Sequence, residues 1–182
     1  TYLYYGPVRT PIYLCAFKDA YTKEILGHCV SSRMTVSLVK SAYDVMMENH
    51  GHELRGAACV IHSDQGSQYL STTFQRLLSD DGFLQSVSDR GNSQDNAPMD
   101  LVALCPDAST VSRMISGYID AYNHRHYQYA LAGLTPSEYY TYVTTGIYPV
   151  DNYYGIKATE LMPIQALIAA RRRAAEEKAK KY

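Results

Sequence analysis

Apolar positions at the start of the chain fall into three short runs: Thr1–Tyr5, Ile12–Phe17 and Lys23–Val30. Gly6-Pro7 closes the first, and the polar link Lys18–Thr22 between the second and third has hairpin length, so the pattern predicts an antiparallel meander of three strands. From Thr35 the period lengthens. Val36, Val39, Ala42-Tyr43 and Met46-Met47 recur every three or four residues, which predicts an amphipathic helix with Thr35 as N-cap and Gly51 just past its end.

The run Ala57–Ile61 is continuous and short, and it stops at His62-Ser63-Asp64 with Gly66 following. That predicts a buried strand whose end delivers a carboxylate into a turn. Thr72-Thr73-Phe74-Gln75 has capping-box form and opens a short helix with Phe74, Leu77 and Leu78 on its buried face, closed by Gly82. Phe83–Ser88 predicts a last strand. Val111, Met114-Ile115, Tyr118-Ile119 and Tyr122 mark a longer amphipathic helix, and Thr135-Pro136 an N-cap with proline at the first helical position. Residues 147–159 read as irregular, and Pro163 opens an Ala-rich helix that runs through Arg171-Arg172-Arg173 to Lys180-Lys181. A hairpin meander followed by alternating helices and strands gives an α/β layer with a mixed sheet.

Composition narrows the picture. A chain of 182 residues suffices for one α/β domain and a tail. Seventeen Lys and Arg against eighteen Asp and Glu give a net charge of −1, so any contact with nucleic acid must use local patches or metal ions. The four cysteines form no Cys-x-x-Cys pair and read as reduced structural thiols. No apolar run approaches the roughly 18 residues of a membrane span. No signal peptide pattern opens the chain, so the expected compartment is cytoplasmic.

The candidate chemistry sits where the Ala57–Ile61 strand ends, since open α/β sheets carry their sites at strand ends. Thirty-five residues lie between Asp64 and a second carboxylate, Asp100. His62-Ser63-Asp64-Gln65-Gly66-Ser67-Gln68-Tyr69, followed by Gly91-Asn92-Ser93-Gln94-Asp95-Asn96-Ala97-Pro98-Met99, closely resembles the catalytic core of bacterial insertion-sequence transposases. These belong to the retroviral-integrase superfamily with an Asp-Asp-Glu site. Phe17–Gly27 resembles that family's second and third strands, and Tyr118–His126 with Leu134–Tyr139 resembles its closing segment.

The resemblance implies a ribonuclease-H-like, mixed five-stranded sheet flanked by helices, with a catalytic core over residues 1–150 and a basic helical tail over 151–182. It implies Mg²⁺ or Mn²⁺ as cofactor, and DNA cleavage and strand transfer at transposon ends and target DNA by a homo-oligomer at the bacterial nucleoid. Two divalent ions about 3.5–4 Å apart activate the attacking oxygen and stabilise the leaving one, and they need only a few carboxylates on neighbouring elements.

Asp64 matches the second family aspartate as catalytic residue and metal ligand. The first would lie upstream of Thr1. Asp100 stands where the family has glutamate, and two readings are open. Either Asp100 is the third ligand, one methylene short, or the glutamate-bearing part of the family's helix is absent and Asp100 belongs further along it. Arg90 and Asn92 are expected to touch DNA phosphate, while Asp95 and Asn96 shape the turn before the helix. The pairs His50/His52 and His124/His126 read as surface histidines. The expected activity is therefore an impaired transposase core; the alternative is a non-catalytic ribonuclease-H-like remnant that binds DNA or assembles subunits.

Overall fold

The structure, a computed structural model, describes residues 1–55, 59–88 and 100–149, with Asp100 and Leu101 described by their backbone alone. It divides into two compact units, Thr1–Ala121 and the chain from Tyr122 onward. The expected boundary at residue 150 and the tail beyond it lie outside the described residues.

In the first unit the predicted meander forms. Strands β1 (Tyr2–Tyr5), β2 (Thr10–Lys18) and β3 (Ile25–Ser31) pair antiparallel in that order, with Leu3 opposite Ile12 and Cys15 opposite Cys29. The β1–β2 turn uses left-handed backbone at Gly6 and Arg9, and the Arg9 guanidinium lies 5.1 Å over the Tyr4 ring. The Asp19 carboxylate organises the β2–β3 turn by accepting the backbone N–H groups of Tyr21 and Thr22 and the Thr22 hydroxyl.

Side chains alternate across this sheet. On one face Leu3 and Ile12 form a core with Val102, Cys105, Val111, Ile115 and Ile119. These come from a 3-10 turn, Asp100–Leu104, and from helix α3 (Ala108–Arg125). The other face receives α1 (Val36–Arg55), which buries Leu38, Val39, Ala42, Tyr43 and Met46 at helical spacing. Gly27 permits the close approach: a Cβ there would stand 2.5 Å from the Met46 nitrogen and 2.6 Å from the Ala42 oxygen.

Helix α1 continues beyond the expected stop, because Gly51 is buried within it rather than capping it. The next strand, β4, spans Val60–Ser63, so His62 and Ser63 belong to the strand instead of its exit, and Ala57-Ala58 lie outside the described residues. Helix α2 (Thr72–Asp80) starts from Ser71, whose hydroxyl accepts the Phe74 N–H; the N-cap is one residue earlier than the capping-box reading. Strand β5 (Leu84–Val87) pairs parallel with β4.

The expected single five-stranded sheet is corrected here. The described strands form a three-stranded antiparallel sheet and a separate two-stranded parallel one. The cause lies in the pairing: among the described strands β4 and β5 hydrogen-bond to each other, and neither pairs with β1, β2 or β3. The mixed α/β character stands. All four cysteines are free, Cys15 and Cys105 buried and Cys29 and Cys59 half-buried. Among the described residues no helix is long and apolar enough to cross a membrane.

The second unit begins with the last turn of α3. A 3-10 turn, Tyr129–Leu131, leads to α4 (Pro136–Thr145), which is capped as expected: the Thr135 hydroxyl accepts the Glu138 N–H, and Glu138 accepts the Thr135 N–H. Leu131, Leu134 and Tyr139 form its core, with Tyr142, Val143 and Tyr148 packed around them.

Candidate active site

Strand β4 carries the chain out of the α/β layer and leaves Asp64 exposed at its end. Asp64 Oδ1 accepts the Gly66 N–H at 2.9 Å, so the carboxylate folds the turn that presents it. Gly66 has little room: a Cβ there would stand 3.0 Å from Asp64 Oδ1 and closer still to the Gln68 amide. The Gly66 carbonyl then accepts the N–H groups of Tyr69 and Leu70, at 2.9 and 3.2 Å.

Tyr69 anchors this loop. Its ring lies 6.0 Å from Phe74, and its hydroxyl is 3.7 Å from Cys15 Sγ on β2. Its carbonyl accepts the Gln85 side-chain amide at 2.8 Å, which ties the loop to β5, while the Ser71 hydroxyl donates to Gln68. Phe74 in turn meets Phe17 and Tyr43, and Tyr43 meets Phe83. An aromatic cluster therefore backs the loop that holds Asp64.

Burial pushes the Tyr69 phenol well above its ordinary value, and the neighbouring Cys15 and Asp64 push in the same direction. Burial also raises the Cys15 thiol. Both groups stay protonated at neutral pH and hold the loop as neutral partners. Beside them, His62 Nδ1 and Ser86 Oγ are 3.0 Å apart across β4 and β5.

Asp100 opens the 3-10 turn Asp100–Leu104. That turn is placed by burial of Val102 and Cys105 against β1. Arg90, Asn92, Asp95 and Asn96 lie outside the described residues. His50 and His52 are two apart on α1, so their side chains diverge. His126 stacks on Tyr122, with centroids 5.9 Å apart and 19° between the planes. Among the described residues no three His, Cys, Asp or Glu side chains gather as a metal-holding group. The sequence reading missed the Tyr69–Cys15 anchor, because 54 residues separate the two and no spacing rule links them.

An exposed carboxylate on a braced turn at a strand end is a hard oxygen donor with one oxygen oriented by a backbone N–H. Such a group suits Mg²⁺, which binds through one or two carboxylates and keeps several waters.

Residues 2–93 match the family model described as integrase core domain. The chain is 32% identical over 142 residues to the Escherichia coli (strain K12) protein named "Putative transposase InsK for insertion sequence element IS150", covering 70% of this chain and 48% of that protein. It is 37% identical over 89 residues to the transposase for insertion sequence element IS904 of Lactococcus lactis, covering 49% and 34%. The chain thus spans about half the length of the curated relatives it matches. In structure it is similar to the HTLV-2 integrase catalytic core domain, solved in complex with magnesium in a trimeric form. There the TM-score is 0.52 at 14% identity, over 75% of this chain and 90% of that one, a likeness of fold.

Proposed function

Since the chain belongs to the integrase core domain family, we propose that it serves DNA transposition through metal-dependent phosphodiester cleavage and strand transfer. Its substrates are transposon ends and target DNA, and it works as a homo-oligomer in the bacterial cytoplasm, at the nucleoid. The names of the matched transposases support the reaction class. The observation that carries the reading is Asp64: a solvent-facing carboxylate at the end of β4, inside the matched span, held by a turn with its own aromatic backing.

Mg²⁺ or Mn²⁺, when bound, supplies Lewis-acid polarisation of phosphoryl oxygen and a more acidic water. The chain's own residues do the positioning. Asp64 offers a carboxylate with Oδ1 oriented by Gly66, and Tyr69 fixes the loop against β2 and β5. Asp100 is the second candidate ligand, and Arg90 and Asn92 the candidate phosphate contacts.

A second reading has a specific observation in its favour. Asp100 starts a five-residue 3-10 turn rather than a catalytic helix. That favours a non-catalytic ribonuclease-H-like module that binds DNA or assembles subunits.

Calorimetric titration with Mn²⁺ of the wild-type chain, Asp64→Ala and Asp100→Ala separates the readings. Binding lost in both variants assigns both ligands and sustains the enzyme. Binding lost only in Asp64→Ala keeps the metal and removes Asp100. No binding in the wild type, or binding indifferent to Asp64, leaves the non-catalytic module.

A further inference from the structure

Cys15 and Cys29 take no direct part in the chemistry proposed for Asp64, yet the fold sets them opposite each other. They are direct partners in the antiparallel pairing of β2 with β3. Both belong to the sheet face that receives α1. Phe17, two residues after Cys15, meets Tyr43 of α1, and Gly27, two residues before Cys29, lies against Ala42 and Met46. His28 points the other way and reaches Ser116 of α3, with 3.0 Å between Nε2 and Oγ. The other two cysteines stand elsewhere: the Cys59 thiol donates to the Leu54 carbonyl at 3.6 Å, and Cys105 lies in the core on the opposite face of the sheet.

The backbone fixes which kind of pair this is. Leu14 exchanges both hydrogen bonds with Thr1, at 3.0 and 2.8 Å, so its N–H and C=O point away from β3. Those of Cys15, the next residue, point toward β3, which makes Cys15 and Cys29 a hydrogen-bonded pair. Such pairs place their Cα atoms about 5.5 Å apart, inside the usual range for a disulfide. Their Cβ atoms stand toward the wide end of about 4.5–5.5 Å, where a bridge prefers about 3.8 Å. A bridge here must draw the strands together by about 1 Å, and a bond closed under such tension is readily reduced again.

Reduced Cys15 has a second contact. Its Sγ is 3.7 Å from the Tyr69 hydroxyl, the link that ties the Asp64 loop to β2. A sulfur turned toward Cys29 and stripped of its proton no longer offers Tyr69 a thiol. The Tyr69 ring keeps its place beside Phe74, so the loop loosens without unfolding.

We infer that Cys15 and Cys29 are a reversible dithiol switch, whose oxidation to a disulfide by a small-molecule disulfide such as oxidised glutathione frees Tyr69 and slackens the Asp64 loop. Cys29 is the half-buried member of the pair, so the oxidant meets it first. Its thiolate attacks oxidised glutathione, forms a mixed disulfide and releases one glutathione thiolate. The Cys15 sulfur, after losing its proton to water, attacks the Cys29 sulfur, closes the bridge and expels the second glutathione thiolate. The protein gives up two protons and two electrons, and oxidised glutathione is reduced to two thiols that take up two protons. The inference deepens the proposed function by regulating its site, while the bridge itself requires neither metal nor DNA.

The test treats the 182-residue chain with oxidised glutathione in EDTA. Peptide mapping by mass spectrometry without reductant is expected to find Cys15 joined to Cys29, and dithiothreitol to separate them. Hydrogen exchange at the Tyr69 and Leu70 N–H groups, which donate to the Gly66 carbonyl, should quicken about fivefold in the oxidised chain, the worth of one modest hydrogen bond. Tyr69→Phe should exchange at that faster rate when reduced and gain nothing on oxidation. Cys29→Ser, or Cys29→Ala should serine disturb the sheet, should keep the slow exchange in oxidant.

Three results overturn the inference: no Cys15–Cys29 bridge, a bridge that joins Cys59 or Cys105 instead, or a bridge that leaves exchange in the loop unchanged. Exchange that quickens equally across α1 also overturns it, because the bridge then strains the whole sheet and does not act through Tyr69. Neither readout uses metal or DNA, so failure here leaves the Asp64 titration standing, and failure of that titration leaves the switch.

Discussion

Asp64 and Asp100 are the same residue type, each met just after an apolar or proline-marked stretch, yet the structure places them by different means. Asp64 is held by architecture: a strand end, a turn that its own carboxylate closes onto Gly66, and a tyrosine driven back between Cys15 and Phe74. Asp100 rides on a short turn whose position is set by two buried side chains, Val102 and Cys105, each 2% exposed. The first arrangement fixes where a carboxylate points. The second fixes where a turn packs. A carboxylate becomes a dependable ligand when its rotamer and its loop are both held, because binding geometry tolerates little slack.

The sharpest way to break this comparison is to remove the backing of each segment. Phe74 is 1% exposed and touches the rings of Tyr69, Tyr43 and Phe17, so Phe74→Ala should cost about 3–5 kcal/mol of stability. Val102→Ala removes two methyl-sized groups from beneath the Asp100 turn and should cost about 2 kcal/mol. Urea denaturation followed by circular dichroism reads both. A larger loss for Val102→Ala would mean that the Asp100 turn is the better supported of the two.

A finer cut separates anchoring from burial. Tyr69→Phe keeps the ring against Phe74 and deletes the hydroxyl facing Cys15, so global stability should fall by about 1 kcal/mol. If the loop is what aims Asp64, Mn²⁺ affinity should fall along with it, and a Cys15→Ala chain should show the same loss. Wild-type metal affinity in both variants would confine the anchor to stability.

The meander, the α1 stripe and the glycine turn at Asp64 were legible because each is written in local spacing: alternation for strands, three-to-four periodicity for α1, and an Asp followed two residues later by Gly. The α4 cap was equally local. What the spacing did not carry is tertiary. Gly51 looks like a terminator, yet it lies inside α1, where the helix continues to Arg55. Ser71 caps α2 in preference to Thr72, because its hydroxyl reaches the Phe74 N–H at 3.2 Å. The split into two sheets depends on which strand edges meet, and nothing in the runs Thr1–Tyr5 and Ala57–Ile61 states that. The place of Asp64 at a strand end was legible through its motif, while its support by Tyr69, Cys15 and Gln85 spans three elements and was invisible.

The smallest expected effect compares two carboxylates that fasten the two regions. Asp81, past the end of α2, accepts the Tyr43 hydroxyl at 2.6 Å and the Arg55 guanidinium at 3.0 Å, joining α2 to α1. Chiefly the Tyr43 bond, with Arg55 assisting, holds its carboxyl below the ordinary range in spite of partial burial. Asp107 stands at the start of α3, just after the Asp100 turn, and is likewise lowered, first by the Ser109 hydroxyl and then by the Thr110 N–H. A carboxylate with a lowered folded value binds its proton less readily than in the unfolded chain. Its contribution is therefore complete above the unfolded value of about 4 and is lost as pH falls through the lower folded value. Urea midpoints taken from about pH 7 down to about pH 3 should decline at the acid end, and Asp81→Asn should flatten that decline. Asp107→Asn should flatten it less, since Asp107 is fully exposed and asparagine caps a helix nearly as well as aspartate. An acid limb governed by Asp107 would place the stronger electrostatic fastening on the side of the Asp100 turn, and would reverse the order in which the two regions are held.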